Sequence, residues 1–269
     1  MAYKKFKRTF KRKSSRRPLR KAFKKSPKVQ SIKRMIQTQI ARNTETKIEE
    51  MINIDRSIYS TSSANFPDNV ITLGPSGDLQ VTQGVTQGER IGNKITTKSL
   101  WLRGTICPKT YDATTNPFPI PQVVKIVIFY DKIDPTTLPS VGTNFFQNGS
   151  ANAGFQNDLV DMWRPINTER YHICCSRTLK IGHAINQGSG SLPAWSQYSN
   201  NDFQMAGNFK INLTKYYPKK VVFDENSTTP TTRQLFCLFY CAAGSGQQNG
   251  NAWIPLTAQY AQSYKFTDA

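Results

Sequence analysis

Beyond residue 45 apolar and polar positions alternate with a period of two, the pattern of strands half-buried in a sheet. The pattern predicts strands over 47–59, 94–107, 122–131, 169–181, 203–214, 219–224, 234–243 and 257–266. Several faces can be read directly. Tyr171, Ile173, Cys175, Leu179 and Ile181 share one face, opposite Arg170, His172, Ser176 and Lys180. Phe209, Ile211 and Leu213 form another row, and Lys94, Thr96 and Lys98 oppose Ile95, Thr97, Ser99 and Trp101. Segment 235–243 is apolar at every position, which marks a strand covered on both faces. Val124, Ile126, Ile128 and Tyr130 read similarly, with Lys125 as the one charge between them. Before residue 45 the period changes. Val29, Ile32, Ile36 and Ile40 recur every three or four residues, with Lys33, Arg34 and Arg42 among them, predicting a short amphipathic helix within 29–43.

About eight strands, no helical pattern after residue 45 and no internal repeat define an all-β domain over 45–269. A two-sheet sandwich or barrel accommodates them, and an eight-stranded jelly-roll sandwich is the preferred architecture. Threonine, the commonest residue at 26 copies, suits strands, while clusters of Pro, Gly and Asn punctuate them. The connections 108–121, 132–168, 182–202 and 244–256 are long for a compact domain. A further short strand or helix is expected around 154–163.

Charge changes the picture at the N-terminal end. The chain has 269 residues with 36 Lys+Arg and 17 Asp+Glu, a formal net charge of +19. Residues 1–44 contain 17 of those cations and no acidic residue. The rest of the chain keeps 36 − 17 = 19 cations against 17 acids, a net +2. Such a block repels itself and cannot be buried, so residues 1–44 are expected to be a disordered basic arm that a polyanion neutralises. The chemistry points to nucleic acid, because each cation set against a phosphate releases a counterion. The nominated contacts are Lys4, Lys5, Lys7, Arg8, Lys11, Arg12, Lys13, Arg16, Arg17, Arg20, Lys21, Lys24, Lys25, Lys28, Lys33 and Arg34. Lys11, Arg12, Lys13, Arg16, Arg17, Lys24 and Lys25 also have the make-up of a nuclear-localisation signal, implying the host nuclear import machinery as a partner. Tyr3, Phe6, Phe10 and Phe23, interleaved with the cations, either stack on unpaired bases or form a weak apolar stripe. No window approaches the roughly 18 consecutive apolar residues of a membrane helix. With no secretory leader evident either, a soluble, intracellularly made protein with no membrane partner is expected.

Catalytic and metal chemistry find little support. There are five cysteines and two histidines, His172 and His183. His172 and Cys174 lie two apart without a second pair at zinc spacing, and Cys237 and Cys241 are spaced as along a strand face. Free, buried cysteines packing as small hydrophobes are expected. Asp131 with Asp134, and Asp224 with Glu225, are carboxylate pairs that either bind calcium or are simply solvated. No phosphate-binding loop, G-x-S-x-G or H-E-x-x-H occurs. The chain is expected to be no enzyme and to need no cofactor.

The stretch from Gln87 to Thr105, QGERIGNKITTKSLWLRGT, resembles a segment of the capsid proteins of circular, Rep-encoding single-stranded DNA viruses, the circovirus-like group. In them a G…RIG-x-K-I…S…RG segment leads into an early jelly-roll strand. The order here is similar: basic arm, a strand with Ile52-Asn53-Ile54-Asp55, a polar loop, Arg90-Ile91-Gly92, then successive strands, with Glu169-Arg170-Tyr171-His172-Ile173 resembling the mid-chain strand. The arm mixes Lys with Arg, where animal circovirus arms are dominated by Arg. The resemblance implies a jelly-roll coat protein that assembles with itself into a T=1 icosahedral shell of roughly sixty subunits. It further implies a packaged single-stranded genome of circular DNA, with localisation to the virion and, during assembly, the host nucleus. The other class open to the sequence is a cellular, sequence-independent nucleic-acid-binding protein of ribosomal or single-strand-binding type. Within the motif, Arg90, Lys94, Lys98 and Arg103 are either ordinary solvated charges or contacts to packaged phosphate. Gly88 and Gly92 are read as freeing the backbone for close approach, and Trp101, Trp195 and Trp253 as interface anchors.

Overall fold

The computed structural model describes residues 45–117, 119–148, 151–182, 205–246, 250 and 253–268, with Ile32, Arg34, Met35, Ile36 and Gln39 from the N-terminal region. The chain divides after residue 44 into two units. In the first, the five described residues are helical and exposed, within the stretch whose period predicts a helix. The arm's expected disorder lies outside the described residues.

The second unit is all-β, and its strand pairs are antiparallel. Its strands are β1 (Lys47–Ile58), β2 (Val70–Leu73), β3 (Lys94–Pro108), β4 (Gln122–Asp131), β5 (Phe146–Asn148), β6 (Ala151–Ala153), β7 (Tyr171–Ile181), β8 (Gly207–Asn212), β9 (Lys220–Val222), β10 (Leu235–Ala243) and β11 (Leu256–Asp268). One sheet runs β1-β11-β3-β8, with β9 also paired to β3; a second runs β2-β10-β4-β7; β5 and β6 form a small hairpin.

β10 shows why these layers form. Leu235, Cys237, Phe239 and Cys241 enter the core shared with β1, β3, β8 and β11. Phe236, Leu238, Tyr240 and Ala242 enter a second core on the opposite face, beneath Phe66, Val141, Phe145, Phe146 and Met162. The long β4–β7 connection is therefore a lid of aromatic residues over the second sheet. Its 3-10 helix, Leu159–Met162, falls in the stretch expected to hold an extra element, and Asp158 caps it by accepting from Val160 N and Asp161 N. Lys125 extends its ammonium to the Met162 carbonyl, 2.7 Å away.

Two of the faces predicted from alternation are wrong, and for the same reason. In β7 the register slips between the β4 partners Ile128 and Phe129, leaving Cys174 as an extra residue. Tyr171 and Ile173 consequently face the aromatic lid, whereas Cys175, Leu179 and Ile181 face the shared core. In β3 a slip at Lys98 separates Ile95 and Thr97 from Leu100, Leu102 and Ile106. All five are buried, so Ser99 and Trp101 lie on the face opposite Ile95. A single bulged residue reverses every side chain after it.

The strand inventory also differs. β2, β5 and β6 carry no period that sequence could reveal; β2 is four residues long, with Val70, Ile71 and Leu73 all buried. The strand expected at 219–224 shortens to the three residues of β9.

Candidate nucleic-acid interface

Of the cations nominated for nucleic acid, Lys4, Lys5, Lys7, Arg8, Lys11, Arg12, Lys13, Arg16, Arg17, Arg20, Lys21, Lys24, Lys25, Lys28 and Lys33 lie outside the described residues, as do the aromatics between them. Arg34 is helical and exposed.

Within the domain, the motif cations divide into two kinds. Arg90 is neither solvated nor free for a phosphate: it is 0% exposed. One terminal nitrogen donates to Gly92 O (2.7 Å) and Asn93 Oδ1 (3.1 Å), the other to Ser227 O (2.6 Å). Its guanidinium lies 4.4 Å from the centre of the Phe223 ring. Burial presses its pKa below the ordinary value, and the charge of Asp268 acts in the opposite sense. Asp268 also pairs with Lys47 at 3.0 Å and accepts from Ile91 N. The polar turn of the motif is thus tied to both ends of the second unit. The two glycines need no special freedom: Gly92 has open space where a Cβ would stand, and Gly88 is approached by the flexible end of Glu49. The position that does require glycine is Gly104, where a Cβ would meet the Phe209 ring at 2.7 Å, Tyr260 Cβ at 2.8 Å and the Gln259 carbonyl.

Lys94, Lys98 and Arg103 are exposed. They share the outward face of the five-stranded sheet with Lys210, Lys220 and Lys265, because the alternate residues Ile95, Leu102, Ile211, Val221 and Phe266 are in the core. The carboxylates of this sheet's outward side are Glu50 on β1 and Asp55 at its bulge, both exposed. The net +2 of the domain therefore conceals a segregated basic face. Trp101 sits in its middle. Its ring centre is 5.4 Å from the Arg103 guanidinium and 5.1 Å from the Lys210 ammonium.

The remaining candidates resolve into packing. Asp131 is fully buried and committed: Oδ2 accepts from Arg170 Nε and a terminal nitrogen, and Oδ1 accepts from Ile133 N and Asp134 N. Those four bonds occupy the lone pairs that a calcium ion would require. Asp224 and Glu225 are exposed. His172 is exposed and stacks beside Tyr130, its cross-strand partner on β4. Cys237 and Cys241 are buried, whereas Cys107, Cys174 and Cys175 are half-buried, and all five are free. Among the described residues no group of three His, Cys, Asp or Glu is placed to hold a metal, and no helix is long and apolar enough to cross a membrane. A cleft of about 530 Å³ between β7 and the end of β8 is lined by Cys175, Arg177, Asn212 and Lys215. Of the tryptophans expected as anchors, Trp195 lies outside the described residues and Trp253 is half-buried. Sequence reasoning missed Trp163, which is 85% exposed on the lid.

No protein-family model matches the sequence, and no curated protein matches it. Among solved structures, PNGF-II in its P21 crystal form is similar over 87% of this chain at 11% identity, with a TM-score of 0.34. The chain spans 36% of that structure's length. At that level of superposition the likeness carries no argument about what this chain does.

Proposed function

We propose that this chain is a viral capsid subunit: a jelly-roll domain that assembles with itself into a small icosahedral shell, T=1 with roughly sixty copies, and packages single-stranded nucleic acid, DNA in the first instance, through its basic arm. The observation that carries the reading is the partition of charge, 17 cations and no acid in residues 1–44, set on an antiparallel two-sheet domain of net +2. Phosphate contacts of this kind position without specifying sequence, as packaging of a whole genome requires. The same arm would serve for import into the host nucleus.

The strand order supports the jelly-roll reading. Taking β1, β2, β3, β4, β7, β8, β10 and β11 as strands one to eight, the two sheets read 1-8-3-6 and 2-7-4-5. Every connection except four-to-five then crosses from one sheet to the other, the winding of two interlocked Greek keys. Exposed apolar groups support assembly. Edge strand β1 presents Ile48, Ile52 and Ile54, and the lid presents Val160 and Trp163. Unpaired edges and scattered large apolar groups of this kind are what subunit contacts cover.

The test is size exclusion with light scattering on the full-length protein, recording absorbance at 260 and 280 nm. A 30.4 kDa chain in such a shell gives a particle of about 1.8 MDa with a high 260/280 ratio. A 30 kDa-class monomer that binds oligonucleotides only at low salt would overturn the capsid reading in favour of a cellular nucleic-acid-binding protein.

A further inference from the structure

We propose that the outward face of the five-stranded sheet is a second nucleic-acid site, distinct from the arm, in which Trp101 stacks on an unpaired base while Arg103 and Lys210 take the phosphates beside it. The inference rests on the reading above that the chain packages single-stranded nucleic acid.

The register places the three side chains together. Arg103 is directly opposite Lys210, and Trp101 is opposite Asn212, one outward step further along both strands. Like charges directly opposite on adjacent strands destabilise a sheet. Neither Arg103 nor Lys210 has a carboxylate partner among the described residues. An anion between them removes that repulsion, and a phosphate matches both charges at once. Both cations also lie within cation–π range of the same half-buried indole. Next to the ring the face is polar, and its exposed isoleucines, Ile48 and Ile52, lie beyond β11 on β1. Across β11, Trp101 is opposite Ser263 and Arg103 is opposite Ala261, and the neighbouring row is Gln259, Thr105 and Asn208. Lys98 and Lys265 continue the positive charge past Ser99. A hydrogen-bonding, basic surface around one half-buried aromatic ring is the chemistry that holds single strands, where bases are free to stack, and it disfavours duplex, whose bases are not.

Photo-cross-linking of the full-length protein to a 5-iododeoxyuridine-containing single-stranded oligonucleotide at physiological salt tests this. Trypsin cuts after Lys98 and Arg103 and so releases residues 99–103 as one peptide. The expected result is an adduct on that peptide at Trp101, alongside adducts in residues 1–44. Duplex competitor should displace it poorly. Trp101→Ala should abolish the 99–103 adduct and leave the arm adducts. Arg103→Gln with Lys210→Gln preserves the ring and moves the tryptic cut to Lys109, so its adduct is read on residues 99–109. This variant should lower the adduct yield several-fold and flatten the salt dependence of binding by about 1.4 in the log–log slope, the amount expected for two single-strand phosphate contacts. Adducts confined to the arm, with both variants indistinguishable from the parent, overturn this inference and leave the capsid reading standing. Adducts nowhere at physiological salt overturn both.

Discussion

Arg170 and Asp131, 39 residues apart in the chain, clasp the two ends of the aromatic lid: Arg170 Nε and a terminal nitrogen lie 3.0 and 2.9 Å from one carboxylate oxygen of Asp131. Asp131 ends β4 and Arg170 immediately precedes β7, so the pair closes the connection where it leaves and re-enters the second sheet. Lys132 N donating to Arg170 O at 2.9 Å reinforces the closure. Burial works against the Arg170 charge, yet the hydrogen bonds and field of Asp131, with Tyr171 and Asp134, hold its pKa above the ordinary value.

Breaking this clasp by removing one partner strands the other. Asp131 is 0% exposed and Arg170 19%. Asp131→Ala, which also orphans the Ile133 and Asp134 amides, should cost about 3–5 kcal/mol, the range for halving a buried pair. Arg170→Ala should cost a similar amount, and the double variant clearly less than the sum. Urea unfolding of the four proteins measures this coupling; strict additivity would show that the two residues act independently.

Arg90 supports a second prediction. Its planar fork serves Gly92, Asn93 and Ser227 together while lying on Phe223. A lysine has no fork and stacks poorly, so Arg90→Lys should destabilise almost as much as Arg90→Ala, both by more than about 2 kcal/mol. If this residue instead contacted phosphate from the surface, Arg90→Lys would preserve stability and Arg90→Ala would weaken only nucleic-acid binding. Thermal melts and a filter-binding titration on the same variants separate the two roles.

How much of this was legible in the sequence follows from how local each cause is. β10 could be read because its nine apolar residues need no partner to be recognised. β4 could be read because only Lys125 interrupts it. The faces of β7 and β3 could not, since the bulges at Cys174 and Lys98 are created by the register of neighbouring strands and leave no mark in composition. The burial of Arg90 depends on Ser227, 137 residues away. Read alone, an arginine in a polar turn looks solvated. The basic face was hidden for another reason: net charge sums over the domain, whereas Arg103 and Lys210 become neighbours only when β3 pairs with β8.

Alkali should expose what the cores hold. Burial pushes Cys174 up to about 11 and Tyr130, Tyr171 and Cys241 up to about 12, from ordinary values of 9.0 for the thiols and 10.0 for the phenols. Burial lifts Cys237, Tyr217, Tyr240, Tyr260 and Tyr264 as well. Above about pH 9 the unfolded chain releases protons that the folded chain retains, so it binds fewer of them and stability falls with rising pH. The contribution of these groups is fully present below their unfolded pKa values and is lost as pH climbs through the folded ones. Tm should therefore be steady across neutral pH with respect to these groups and drop progressively between about pH 9 and 12. Thiol titration at pH 8 provides a parallel reading, because only the thiolate reacts. Cys237 and Cys241, at 0% and 1% exposure, should label at the rate of global opening and react freely only in denaturant. A Tm unchanged to pH 11, or immediate labelling of all five cysteines in the native protein, would show that solvent reaches the space between the sheets.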